Sequence, residues 1–272
     1  MEGNIEKILK CEKYDMGALR EIMAILRSEN GCPWDREQTH KSIRQSFIEE
    51  TYEAVDAIDT DDAALLCEEL GDVLLQVVFH ARIDEESGGF TLDDVIDGIA
   101  RKLVYRHPHV FGDKTAETSG DVLGIWEEAK KKEKTERRSV TDTMRAVPHS
   151  LPALMRAQKI AGRAAKAGFD FESAAEAMTK ITEEAGEVDE ALVLPENFDH
   201  IEEEIGDLLF AVTNVARLAG VDSEVALNRA SEKFTNRFAE VENIAHSGGR
   251  KLENMTNDEL LDAWNAAKRK NN

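Results

Sequence analysis

The chain has 272 residues, room for two domains of ordinary size, and sets 55 acids against 34 Lys and Arg for a formal charge of −21. That excess repels phosphate backbones and anionic lipid, which argues against extended nucleic acid and membrane surfaces as partners. With 42% hydrophobic residues and only 5 Pro, the chain can bury a core, which argues against disorder.

From the N-terminus, Met1 to Gly17 mixes Glu, Lys and Asp with no apolar stretch of the secretory kind. Cys11, Cys32 and Cys67 cannot all pair within one chain and match no zinc knuckle, so reduced thiols in a cytoplasmic protein are the expectation. Ile43, Phe47, Thr51, Ala54, Val55 and Ile58 recur at three- and four-residue steps and predict a first long helix. Similar stripes run through 61–86, 151–166, 172–194 and 222–246, and no convincing alternation of β-branched residues appears, so the predicted class is all-α. Gly88-Gly89, Gly220 and Gly248-Gly249 fall where helices should stop, and Ser173 with Glu176 marks a helix start. His107 and His109, flanking Pro108, are expected to shape a helix end. The charged run Lys130 to Arg138 leads into Ser139 to Ser150, which contains Pro148 and reads as a linker. The predicted organisation is an N-terminal domain over 1–140, a linker over 141–150 and a C-terminal domain over 151–272. Two segments, Val73 to Phe79 and Ile205 to Val215, are apolar nearly all round and too short to span a bilayer; they belong inside a bundle or at a subunit interface.

The two halves repeat one another. EETYE at Glu49 to Glu53 is followed by EELGDVLLQVVF from Glu68, and EEAGE at Glu183 to Glu187 by EEIGDLLFAV from Glu203. Glu50, Glu53, Glu69 and Asp72 thus correspond to Glu184, Glu187, Glu204 and Asp207. Lys102 and Arg106 correspond to Lys233 and Arg237, and Trp126 with Lys130 to Trp264 with Lys268. The acid excess sits on this repeat: residues 44–72 hold ten acids and one base, and 183–207 hold eleven acids and no Lys or Arg.

Residues three apart share a helix face, so two such helices packed antiparallel bring four carboxylates to one point. Four carboxylates cannot all stay ionised at close range unless a cation joins them, and all-oxygen ligation suits Mg²⁺ or Mn²⁺. A lone ExxE in so acidic a chain is usually a solvated helix face; the matched order of acids, basic pairs and Trp-Lys pairs in both halves argues for a site. The leading Glu49, Glu68, Glu183 and Glu203 are open as ligands, as a general base or as bystanders. Lys102, Arg106, Lys233 and Arg237 beside a bound cation suit phosphate oxygens, whereas each Trp reads as a packing anchor or a base-stacking platform.

At these residues the chain resembles the MazG-type nucleoside triphosphate pyrophosphohydrolases with two tandem MazG domains. The resemblance extends through GCPWDREQTH at 31–40, RHPHVFGD, the LPALMRAQKIAGRAAKAGFDF junction and EEIGDLLFAVTNVARLAG. It implies two tandem helical bundles that dimerise through bundle helices, and Mg²⁺-dependent cleavage of a nucleoside triphosphate to monophosphate and pyrophosphate. It also implies metal ligation by Glu184, Glu187, Glu204 and Asp207, with Glu50, Glu53, Glu69 and Asp72 as counterparts. Lys233, Arg237, Trp264 and Lys268 would contact substrate, and Lys102, Arg106, Trp126 and Lys130 match them in the other half. In tandem members the C-terminal domain can be the main catalyst, and that half is the expected one here.

The expected chemistry is in-line attack by a metal-bound water, with Glu183 as general base and Lys233, Arg237 and Lys268 stabilising the leaving pyrophosphate. No P-loop and no nucleophile–base constellation is present. A di-iron bundle needs two Glu-x-x-His motifs, and the single one, Glu37 to His40, lies outside the repeat. The remaining alternative is a non-catalytic dimeric module that senses nucleotide, at least in the N-terminal half.

Overall fold

The computed structural model describes residues 2–133, 139–193 and 197–270. It is helical throughout, with no strand among the described residues, and it divides into two compact units, Met1–Thr135 and Glu136–Asn272.

The first unit holds α1 (Glu2–Leu9), α2 (Met16–Leu26), α3 (Pro33–Glu37), α4 (Arg44–Asp59), α5 (Ala63–Glu86), α6 (Leu92–Arg106), α7 (Pro108–Phe111) and α8 (Ser119–Glu133). The α4–α5 hairpin is its frame. The turn between them closes on Asp62, whose carboxylate accepts from the amides of Ala64 and Leu65 and so satisfies two of the free N–H groups at the start of α5. Beyond α5 the chain reverses at Gly88, where φ of 80° favours glycine, and α6 opens on a reciprocal cap between Thr91 and Asp94. Met23, Ile43, Val78, Phe79, Ala81 and Leu92 form the core. Burial of side chains such as Val78 and Phe79 contributes about 1.5–3 kcal/mol each. Of the stripe predicted on α4, Ile43 and Ala54 are buried, but Val55 and Ile58 face outward while Ala57 is buried. The close helix–helix approach selects the small side chains and turns the larger ones out. The CPWD segment opens the short helix α3, with Cys32 as its N-cap and Pro33 at its first position, and is pinned where Arg27 donates to the carbonyl oxygens of Asp35 and Gln38 and pairs with Glu86 at 2.8 Å.

The second unit holds α9 (Val140–Arg145), α10 (Ala153–Ala165), α11 (Ala174–Val193), α12 (Phe198–Leu218), α13 (Ser223–Ser247), a 3₁₀ turn (Leu252–Asn254) and α14 (Asn257–Lys270). Within the stretch read as linker, α9 starts on a reciprocal Ser139–Asp142 cap and packs on α10. The end of the charged run, 134–138, lies outside the described residues, as does position 194 at the end of the stripe predicted over 172–194. Hairpin α11–α12 repeats α4–α5, α10 crosses α12, and α13 packs against α14 over Val241, Ala263 and Ala267. Gly220, with φ of 71°, closes α12, and Asp222 caps α13.

Candidate metal and phosphate site

Each hairpin brings its glutamates together. In the first unit, carboxylate oxygens of Glu50, Glu53 and Glu69 lie within 4.8 Å of one another; in the second, those of Glu184, Glu187 and Glu204 do the same. Glu69 is 8% exposed, Glu184 6% and Glu204 9%, which is unusual for carboxylates and expensive unless something neutralises them. Asp72 and Asp207 stand outside these groups of converging oxygens. Aspartate is one methylene shorter than glutamate, so from the same helix face it reaches less far.

The two clusters differ electrically. Burial pushes the Glu50 and Glu69 carboxyls above their ordinary range, and neighbouring carboxylates, including that of Asp72, push them further. In the second unit the Lys180 ammonium lies 2.9 Å from Glu183 and 2.8 Å from Glu184, and holds the Glu184 carboxyl below its usual range. Glu187 is raised, first by its hydrogen bond with Glu184 and then by burial. His200 Nδ1 stands 3.2 Å from Glu204 and 3.9 Å from Glu203. Lys180 and His200 were missed in the sequence. The signal was present, since Lys180 precedes Glu183 and Glu184 by three and four residues and His200 precedes Glu204 by four. At the corresponding positions the first unit has Ser46 and Leu65.

The donor set fits a hard divalent cation, because both glutamate triads offer carboxylate oxygens alone, although a His200 ring nitrogen also converges on Glu203 and Glu204, and Glu69 has no hydrogen bond or ion pair among the described residues. A pH dependence follows. Glu50 and Glu69 bind protons more tightly folded than unfolded, so their contribution to stability is present below their ordinary value of 4.5 and is lost as pH rises through the raised values. Mg²⁺ therefore raises the melting temperature more at pH 8 than at pH 5, and Glu50→Gln shrinks that difference. Equal Mg²⁺ responses at the two pH values in differential scanning calorimetry would contradict this reading.

The basic and aromatic positions form two further groups. Arg106 and Lys130 flank Trp126, with the guanidinium carbon 5.5 Å and the ammonium 4.6 Å from the ring centroid. Lys268 lies 5.8 Å from the centre of Trp264, which also packs on Phe234 at 5.0 Å. Lys102 and Lys233 are exposed, and the Arg237 Nε is buried with no hydrogen-bond partner. No ion pair joins Lys233, Arg237 or Lys268 to the carboxylates among the described residues, which leaves these cations available for an anion. His107 and His109 sit at the α6–α7 junction, where the His107 Nδ1 meets the Leu103 carbonyl oxygen at 2.6 Å.

The second unit also has a cavity of about 520 Å³, lined by Phe169, Phe171, Phe210 and Asn214 and by the paired Asp170 and Arg217. Glu176 lines it as well, eight residues before Glu184 on α11, or about 12 Å along the axis.

A model of the MazG nucleotide pyrophosphohydrolase domain matches this sequence twice, over residues 38–111 and 172–242. Each match contains one set of four repeated acids and one Lys-Arg pair. A nucleoside triphosphate pyrophosphohydrolase of Escherichia coli (strain K12) is 45% identical over 253 residues, covering 92% of this chain and 96% of that protein. The nucleoside triphosphate pyrophosphohydrolase/pyrophosphatase MazG of Thermotoga maritima is 42% identical over 250 residues, covering 92% and 94%.

Proposed function

Because the chain belongs to the MazG nucleotide pyrophosphohydrolase family, we infer that it is a nucleoside triphosphate pyrophosphohydrolase, which cleaves its substrate to nucleoside monophosphate and pyrophosphate using Mg²⁺ held by its glutamate clusters. The observation that carries this reading is the convergence of three glutamates in each hairpin, at least one of them buried, on a family match that contains both sets.

In the second unit Glu184, Glu187 and Glu204, joined by Asp207, are the residues that would hold the cation; Glu50, Glu53, Glu69 and Asp72 would do so in the first. A Mg²⁺ or Mn²⁺ ion held there would supply charge neutralisation for triphosphate oxygens and a more acidic water. Glu183, kept in place by Lys180, takes the proton as general base. Lys233, Arg237 and Lys268 receive the charge that develops on the departing pyrophosphate, Arg237 as a bidentate donor. Trp264, already packed on Phe234, is the anchor that keeps Lys268 over that position. The nucleoside enters the cavity between Phe171 and Phe210, with Asn214 as its polar contact.

The C-terminal unit is the main catalyst in this reading, because Lys180 and His200 order its acids and the first unit has no such partners. The first unit is the nucleotide-binding half, with Lys102, Arg106, Trp126 and Lys130 as its phosphate-facing group. A homodimer is supported by apolar residues left exposed at helical spacing, Ile205, Leu209 and Val212 on α12 and Ile96, Ile99 and Leu103 on α6. Exclusion of nucleic acid rests on the net charge. No helix is long and apolar enough to cross a membrane among the described residues.

Product analysis tests the assignment. Anion-exchange chromatography of a reaction with Mg²⁺ and a nucleoside triphosphate should show monophosphate and pyrophosphate rising together from the first time point. Diphosphate with orthophosphate would sink it.

A further inference from the structure

The first unit has polar side chains where the second repeats the same fold with apolar ones. Gln76, on α5, is 7% exposed, and neither its amide nitrogen nor its oxygen has a hydrogen bond among the described residues. A buried amide oxygen without a partner is unfavourable, so it calls for a donor. Gln76 lies seven residues from Glu69, which puts it on the same face of α5 and about 10 Å along the axis. His80 continues that line. Its ring packs 5.6 Å from Phe47 of α4, so this face is the one turned toward α4, the helix that supplies Glu50 and Glu53.

The line ends in a cavity of about 470 Å³, lined by His40, Arg44, Phe47, Val77, His80 and Phe90. His40 and His80 stack at 5.1 Å with Nδ1 atoms 2.8 Å apart, which gives the cavity a flat aromatic wall. The Arg44 guanidinium has no partner among the described residues. None of this is required by the fold: the positions of Arg44, Phe47, Gln76 and His80 are Met178, Ile181, Ala211 and Val215 in the second unit. Nor is it a copy of the cavity beside Phe210, which lies on the opposite side of its hairpin. The first-unit counterparts of Phe210 and Asn214 are Leu75 and Phe79, and both are packed into the core.

We propose that the N-terminal unit has its own nucleoside pocket, in which Gln76 hydrogen-bonds the polar edge of a nucleotide while Phe47 and the His40–His80 pair cover its base. This rests on the reading that Glu50, Glu53 and Glu69 hold a cation with the triphosphate. A ligand anchored there runs along α5 past Gln76 into the cavity, where Arg44 meets base acceptors at the mouth. The two halves then select nucleosides with different residues, and a nucleotide can occupy one while the other turns over.

The test uses the full chain carrying Glu184→Gln and Glu204→Gln, so that the metal-dependent site of the second unit is disabled. Isothermal titration with Mg²⁺ compares an α,β-methylene nucleoside triphosphate with inorganic tripolyphosphate. Gln76→Leu, which fills the same volume without polar atoms, should weaken the nucleotide at least tenfold and leave tripolyphosphate within twofold. Arg44→Ala, at an exposed position that does not support the core, should weaken the nucleotide in the same selective way. Equal effects on both ligands, or none on either, would overturn the pocket. If tripolyphosphate itself fails to bind, or binds unchanged after Glu50→Gln, the metal reading of this unit fails and the pocket with it.

Discussion

Glu184→Gln in the full chain lowers nucleoside triphosphate hydrolysis by about 10²–10³-fold or more, the scale expected when a preorganised electrostatic contact to the reacting phosphate is removed. The amide keeps the size of the side chain but supplies no charge to a cation. Glu184 is also the hub of its cluster: it is 6% exposed, pairs with Lys180 at 2.8 Å and shares a hydrogen bond with Glu187. Its loss therefore leaves Lys180 paired with Glu183 alone and removes the charge that the other two glutamates would share with the metal. Glu50→Gln, made separately, changes the steady-state rate less than about twofold if the second unit is the main catalyst. Steady-state pyrophosphate release by the two variants decides between the halves. Comparable losses would make both units catalytic, and no loss in either would contradict the metal site.

Removal of divalent metal abolishes hydrolysis in the wild-type chain. A triphosphate brings several negative charges toward a cluster in which Glu184 and Glu204 already raise the Glu187 carboxyl. Each like-charged pair at 4 Å costs about 1 kcal/mol in water and about 4 kcal/mol in a partly buried site. Lys233, Arg237 and Lys268 cannot offset this alone, since none is paired with the acids. After chelation and desalting the rate falls to background, and Mg²⁺ or Mn²⁺ restores it. Full activity in excess chelator would show that the clusters serve stability alone.

Much of this was written locally in the sequence. The three converging glutamates of each hairpin were legible because three-residue spacing places acids on one helix face, and because the whole arrangement occurs twice. The Trp-Lys contacts were legible for the same reason. The reach of Asp72 and Asp207 was not, because convergence to within an ångström depends on side-chain length and helix separation. Lys180 lies three residues outside the acid-rich window, and His200 was counted as neutral within it, so both escaped a reading based on charge. Gln76 is the single polar residue of VLLQVVF, and Asn214 lies near the end of IGDLLFAVTNV, both stretches that read as apolar nearly all round. Their significance appears only when the packing of α4 on α5, and of α10 on α12, shows which face is closed and which opens on a cavity. The same packing reversed Val55 and Ile58, since a hairpin this close admits Ala54 and Ala57 and excludes larger side chains.

The most direct measurement is anomalous diffraction from crystals of the full chain grown with Mn²⁺ and an α,β-methylene nucleoside triphosphate. The account predicts a peak bounded by Glu184, Glu187 and Glu204, with triphosphate oxygens completing the coordination. Triphosphate bound with no metal peak at these glutamates, or metal held elsewhere in the second unit, would contradict it.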